Sequence, residues 1–349
     1  VPYIFSPVTR ARSDAERDAA FPPPPDSSGA FAVKPEGFWP TKAIDRPASW
    51  DDLGLRNIAI LDSGCDANHP GLQDAVDYAN PESATDADGH GTFIANIIAG
   101  REAVASWDLG LDPGAVSDTP TGMLPGSRLW MANVMDPTPY YDENGNAIYT
   151  LEPGVFSREL NRLAKRKTAR LQEIQVLNLS LGSTYESTTM KKDIKAVQDK
   201  GIIVVAAAGN TPKDQGFPDP VLYPAAYPRS ISVGAIAFDG GSGNTMWPRT
   251  NSDLSELNRD LPWDICAPGE WILSGLPMEE NSLGLTFSGW LSGTSMAAAY
   301  VTAVVAVLRS QGMKDRDSIV DYLRNTGWHA WNDDFVRLKC PAATKAAGH

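Results

Sequence analysis

Four side chains in this sequence have the types and settings that acyl-transfer chemistry needs. Asp62 ends the apolar run NIAILD and is followed by Ser63 and Gly64. His90 stands between Gly89 and Gly91 in DGHGTFIA. Asn210 ends VVAAAGN, and Ser295 follows Gly293 and Thr294 in SGTSMAAAYVTAVV. A serine hydroxyl is a weak nucleophile at neutral pH and needs a base within hydrogen-bond reach. An imidazole serves as that base when a carboxylate fixes its tautomer and stabilises its charged form. The developing oxyanion needs preorganised donors, which an Asn amide and a backbone N–H at a helix start can supply. Asp62, His90, Ser295 and Asn210 together provide all of these parts. Singly, each has a plainer reading: Asp62 as a strand-end cap, His90 as a structural residue in a glycine turn, Asn210 as a turn residue, and Ser295 as a cap before a core helix. The combination favours the chemical reading.

Such a set works only if the surrounding elements bring it together. The stretches 57–64, 128–135, 174–182, 201–210 and 230–237 are continuous apolar runs rather than alternating ones. That pattern predicts strands buried on both faces, as in a parallel sheet. Helical patterns lie between them at 90–99, 155–170 and 188–200, and 296–308 reads as a buried helix without internal Gly or Pro. Strands alternating with helices predict an α/β fold, a three-layer open doubly wound sheet, mostly parallel. In such sheets a site lies beyond the carboxyl ends of the strands, which is where Asp62 and Asn210 stand.

Residues 1–50 have a different texture. FPPPPDSSG at 21–29 can hold neither a helix nor a central strand, and the aromatics Tyr3, Phe5, Phe31, Phe38 and Trp39 predict an arm packed on the surface. The catalytic unit is expected over 51–349, with inserted loops at about 101–121 and 137–153. Asn144 and Gly145, between aromatic and β-branched residues, predict a hairpin in the second loop.

Bulk properties narrow the function classes. The 349 residues are 42% hydrophobic and 21% charged, enough for a large core. A formal charge of −13 argues against nucleic acid and anionic membrane surfaces as partners. No apolar run is long enough to span a bilayer. The opening VPYIFSPVTR has no charged segment followed by an apolar one, so no signal peptide is expected in this chain. Cys65, Cys266 and Cys340 form an odd, widely spaced set without C-x-x-C. They are neither a disulfide framework nor a zinc site, and leave open one disulfide or three buried thiols. Asp86-x-Asp88-Gly89 resembles the start of a calcium loop, but Ile97 stands at the closing position; Asp142-x-Asn144-x-Asn146 likewise meets Pro153. No metal ligand is assigned. Calcium in another loop geometry stays open as a structural ion, and the chemistry requires no cofactor.

The motifs IAILDSGCDANHPGL, DGHGTFIANIIAG, VLNLSLG, VVAAAGN, YPAAYPRSISVGAIA, DICAPG and SGTSMAAAYVTAVVAVL resemble those of the subtilisin-like serine proteases, the subtilase family (peptidase S8-like). The resemblance runs from about 57 to 326 and keeps the order Asp, His, Ser. It implies that Asp62 orients the base, His90 is the base, Ser295 is the nucleophile and Asn210 donates to the oxyanion. It also implies that Ser180, Leu181 and Gly182 pair with an extended peptide and wall its first pocket, that Ala207, Ala208 and Gly209 form the opposite wall, and that Leu222 lies near the floor. No charge lines these positions, so an uncharged, medium-sized apolar residue is expected before the scissile bond. The resemblance further implies a peptide or protein substrate, a folding pro-domain that either was cleaved off or is dispensed with in this member, a monomer, and a secreted or extracytoplasmic setting with the cytoplasm as alternative.

Two departures from the family pattern stand out. Phe93 replaces a usual histidine, and Ala299 replaces the proline in the nucleophile helix. Alanine restores a backbone N–H and removes ring crowding. The histidine replaced by Phe93 is not one of the family's catalytic residues, so activity is not in doubt there. Ala299 and the two insertions raise a dedicated processing protease or peptide ligase (macrocyclase) as an alternative to a general endopeptidase. An inactive peptide-binding pseudoprotease is a separate alternative. The intact set Asp62, His90, Ser295 and Asn210 argues against the last.

Overall fold

A strand with apolar side chains at successive positions must be covered on both faces, and the central strands here are. The computed structural model describes residues 39–101, 121–141, 147–210, 220–237, 262–279, 281–283, 287–329 and 335–341, the single residues 246 and 250, and the backbone of 3–4, 103–104 and 118–119. Most of the N-terminal arm, residues 105–117 of the first insertion and the Asn144–Gly145 turn lie outside the described residues.

In chain order the strands are β1 (Tyr3–Ile4), β2 (Ile58–Asp62), β3 (Val76–Tyr78), β4 (Ala103–Val104), β5 (Asp118–Thr119), β6 (Leu129–Asn133), β7 (Tyr140–Tyr141), β8 (Ala147–Ile148), β9 (Thr150–Leu151), β10 (Val176–Leu179), β11 (Ile203–Ala207), β12 (Ile231–Ile236), β13 (Ile265–Pro268), β14 (Ile272–Gly275), β15 (Ser288–Leu291), β16 (Trp328–His329) and β17 (Val336–Arg337). The helices are α1 (Trp39–Ala43), α2 (His90–Ala99), α3 (Pro153–Lys165), α4 (Ala169–Glu173), α5 (Thr188–Gln198), α6 (Thr294–Ser310) and α7 (Arg316–Thr326). Nine strands form one sheet in the order β16-β17-β13-β12-β11-β10-β2-β6-β3. Every neighbouring pair in it is parallel except β16–β17. The chain is thus a three-layer α/β structure with a mostly parallel sheet.

Side-chain alternation divides each central strand between two cores. Ile58, Ile60, Val176, Ile203 and Val205 face one side, where α2 and α6 pack with Phe93, Ile94, Met296 and Val304. Ala59, Leu61, Leu177, Leu179 and Val204 face the other, against Phe156, Leu160 and Leu163 of α3 and Met190, Ile194 and Val197 of α5. Helix α6 is buried from Thr294 to Leu308, which explains its lack of a polar face.

The differences from the sequence reading have local causes. The helix expected over 155–170 is two helices. Helix α3 stops at Arg166, whose φ of 46° breaks the helical backbone, and α4 restarts behind Thr168, whose side chain accepts from Leu171 N. The Arg166 guanidinium donates to the carbonyls of Ile174 and Gln172, which holds that turn. The helix that carries Ser295 starts two residues earlier than read, at Thr294. Strand β13, from DICAPG, was not read as a strand, nor was the antiparallel pair β14–β15 that delivers the chain to α6. Strands β7 and β8 pair antiparallel, as the hairpin reading expected. All three thiols are free and buried.

Candidate active site

Asp62 is the last residue of β2, and His90 is the first of α2. Both are buried, at 0% and 1% exposure. His90 Nδ1 lies 2.8 Å from Asp62 Oδ1. The close approach depends on Gly91: a Cβ there would stand 2.0 Å from the Gly64 carbonyl oxygen. Asp62 Oδ1 also accepts from Ser63 N at 2.8 Å, which holds the carboxylate oxygen that faces the imidazole. Burial disfavours the charged ring, but Asp62, with Asp88 and Asp86 behind it, outweighs burial and raises the His90 pKa above its ordinary value. With Nδ1–H held by Asp62, Nε2 is the basic nitrogen.

Ser295 is the second residue of α6, where the backbone N–H groups of the first turn and the helix dipole favour negative charge. Its hydroxyl donates to the Ser180 carbonyl at 3.1 Å, and the Ser180 hydroxyl donates to the Ser295 carbonyl at 2.9 Å. These reciprocal bonds tie the helix start to the end of β10. Three residues beyond the end of the neighbouring strand β11, Asn210 Oδ1 accepts from Thr294 N at 2.8 Å and Thr294 Oγ1 at 2.7 Å. The acceptor side of the amide is therefore committed to the helix, which leaves Nδ2 as the side that can donate to a ligand.

The residues expected to line the substrate groove lie at the carboxyl ends of β10 and β11. Leu222 N donates to the Ala208 carbonyl at 2.8 Å. Leu222 also packs so tightly on Gly182 that a Cβ at 182 would lie 2.8 Å from the leucine Cβ. Ser183 and Tyr223 exchange two backbone hydrogen bonds. The three segments expected to be two walls and a floor thus meet at Leu222, and none of Leu181, Ala207, Ala208 and Leu222 carries a charge.

One contributor was missed in the sequence. Asp86, dismissed as part of a failed calcium loop, is buried and accepts four hydrogen bonds: from Ser63 Oγ and Gly89 N at 2.8 Å each, Thr92 N at 2.7 Å and Thr92 Oγ1 at 2.6 Å. It shapes the turn that presents His90. Burial, and then the Asp88 charge, pushes its pKa up to about 6 against those bonds. The signal available was the D-x-x-G-H spacing itself, in which a carboxylate four residues before the histidine can cap α2. From the other side, Ser282 N donates to the Ala87 carbonyl at 2.9 Å and Ser282 Oγ to Asp88 Oδ2 at 3.0 Å. Among the described residues, no group of three His, Cys, Asp or Glu side chains could hold a metal ion. No helix among them is long and apolar enough to cross a membrane.

Known proteins share this architecture. The subtilase family model matches residues 57–333. The major intracellular serine protease of Bacillus subtilis (strain 168) is 29% identical over 289 residues, covering 79% of this chain and 75% of that protein. The intracellular serine protease of Paenibacillus polymyxa is 30% identical over 278 residues, covering 76% and 71%. The crystal structure of fervidolysin from Fervidobacterium pennivorans, a keratinolytic enzyme related to subtilisin, superposes with a TM-score of 0.65 at 22% identity, over 97% of this chain and 50% of that one. A family match over most of the chain joins a parallel α/β sheet in which the helix that starts with the buried His90, paired with Asp62, packs on the helix that starts at Thr294–Ser295: the chain belongs to the subtilase family and is a subtilisin-like serine protease.

Proposed function

We propose that the chain is an endopeptidase in which Ser295 attacks the scissile carbonyl, His90 is the base, Asp62 orients it, and Asn210 stabilises the oxyanion. The observation that carries this reading is the buried 2.8 Å contact between Asp62 and His90, with Ser295 at the start of a helix that packs on α2. In the resting enzyme the Ser295 proton rests on the Ser180 carbonyl. Rotation about the serine side chain hands it to His90 Nε2 as Oγ attacks. The resulting imidazolium is stabilised by Asp62, and its proton then passes to the leaving amine. The tetrahedral oxyanion is met by the Asn210 amide and the Ser295 backbone N–H. Water repeats the sequence on the acyl-enzyme.

The peptide is held extended along the segment 180–182, with main-chain hydrogen bonds for affinity and the space beside Leu222 for the side chain before the scissile bond. That space is lined without charge, which supports an apolar preference. A fluorophosphonate probe and a peptide substrate test the assignment together. Labelling and hydrolysis are both expected to vanish in Ser295→Ala. Labelling retained in that variant would refute the nucleophile; strict cleavage after Arg or Asp in a peptide-library profile would refute the apolar pocket.

A further inference from the structure

Helix α6 buries a threonine hydroxyl well beyond its first turn. Thr302 is fully buried and lies seven residues, about two turns, beyond Ser295. A helical threonine usually bonds back to the carbonyl four residues earlier. Thr302 Oγ1 instead crosses to the sheet and donates to Asn178 Oδ1 at 2.8 Å. Asn178 Nδ2 donates to Ser180 Oγ at 3.0 Å. Ser180 Oγ donates to the Ser295 carbonyl at 2.9 Å, and the Ser180 carbonyl receives the Ser295 hydroxyl at 3.1 Å. Asn178, Ser180 and Ser295 are all buried, at 0%, 1% and 3% exposure.

We propose that Thr302 is a positioning residue for the nucleophile, acting through a one-way hydrogen-bond relay, Thr302 to Asn178 to Ser180 to Ser295. This rests on Ser295 being the nucleophile. An amide can present either its oxygen or its nitrogen to a neighbour, and the shape of the site does not choose between them. The direction matters here because Ser180 has a single hydroxyl proton. With Thr302 donating to Oδ1, the amide nitrogen faces Ser180, and the serine proton goes to the Ser295 carbonyl. With the amide reversed, Oδ1 would take the Ser180 proton and the Ser295 carbonyl would lose its donor. Thr302 at the head of the chain makes the first arrangement the fully satisfied one, and buried relays of this kind strengthen along their length. The bond it secures fixes the peptide plane that follows Ser295, at the point where Oγ must move between the Ser180 carbonyl and His90.

Thr302→Val removes the head donor with little change in shape, and Thr302→Ala removes it without an added methyl, in case the valine variant does not fold. Either is expected to lower kcat for a peptide anilide by about three- to tenfold, the weight of one hydrogen bond, with KM nearly unchanged. Fluorophosphonate labelling should slow in parallel, and Thr302→Ser should restore both rates. In the Ser180→Ala background, where the relay has already lost its last donor, Thr302→Ala should change kcat no further. The proposal is overturned if the folded Thr302→Ala enzyme keeps the wild-type kcat, if Thr302→Ser is as slow as the alanine variant, or if the Thr302 and Ser180 losses multiply. Each outcome is read in an enzyme that still labels at Ser295, so failure of the relay is distinct from failure of the nucleophile assignment, which Ser295→Ala tests alone.

Discussion

Asn210 accepts two hydrogen bonds from Thr294, one from its backbone N–H and one from its hydroxyl, at 2.8 and 2.7 Å. The residue before Ser295 thus sets which side of the amide accepts and which side donates. This gives the two sides of Asn210 different duties, which substitution can separate. Asn210→Asp keeps the acceptors that hold Thr294 but has no N–H for an oxyanion. Its melting temperature should stay close to wild type while kcat falls by at least the ~10²–10³ typical of a lost oxyanion donor, a figure measured in subtilisin itself, a member of this family. Asn210→Ala should lose both stability and rate. Thermal melts beside steady-state kinetics distinguish the two variants.

The raised His90 pKa has consequences for rate and for stability. The base works only when neutral, so the acid limb of kcat/KM is expected above the ordinary histidine value of 6.5. Asp62→Asn removes the charge that raises it. The limb should move to lower pH, and kcat should fall by about 10⁴ as the wrong tautomer is favoured. For stability, the charged ring gains its partner on folding. Its contribution is therefore fully present below 6.5 and is lost as pH rises through the folded value. A pH–rate profile and denaturant midpoints across the same range test both.

Asp86 should produce a slope in a different window. Its pKa rises from 3.8 to about 6 on folding. Between those values the native state holds a proton that the unfolded chain has released, so this group's contribution to stability falls as pH rises from 3.8 to about 6 and is level above. In the protonated form its O–H can donate to the Ser63 or Thr92 hydroxyl, so the cradle survives. Asp86→Asn should abolish the slope and cost about 1–3 kcal/mol, because its NH₂ then faces groups that donate. Urea midpoints measured through that window for both proteins decide the matter.

The packing of Gly182 on Leu222 gives a prediction about specificity. A side chain at 182 would drive into Leu222, whose Cβ and Cδ1 lie 2.8 and 3.0 Å from the added Cβ. Gly182→Ala is expected to shift peptide-library preference toward smaller residues before the scissile bond. Its kcat/KM for a large apolar residue should fall by about tenfold or more, the loss of about 1.4 kcal/mol of binding. An unchanged profile would place the pocket elsewhere.

The parts of this fold legible in the sequence are those where a single physical demand dominates. Burial on both faces writes itself as continuous apolar runs, so β2, β6, β10, β11 and β12 were read within a few residues. Close backbone approach writes itself as glycine, which marked the turns around Asp62, His90 and Ser295. Other features carry no such mark. Trp271 and Phe287, the residues immediately before β14 and β15, have φ of 51° and 64°, and neither residue type signals a left-handed turn. Arg166 breaks a helix without Gly or Pro, held by its own side chain's bonds to distant carbonyls. Thr302 sits in a run of small apolar residues, and its partner is 124 positions away in the chain. Asp86 was masked by its likeness to a calcium loop, because the sequence does not show that its four partners are hydroxyls and amides.

Helix α6 touches β2, β10, β11, β12 and β13, as well as α2 with its histidine. These five strands lie side by side in the sheet, in the order β13-β12-β11-β10-β2. The placement of Ser295 thus draws on strands from the whole span between Ile58 and Pro268. Substitutions that loosen any of these strands, even far from Asp62 and His90, are therefore expected to disturb the seat of Ser295.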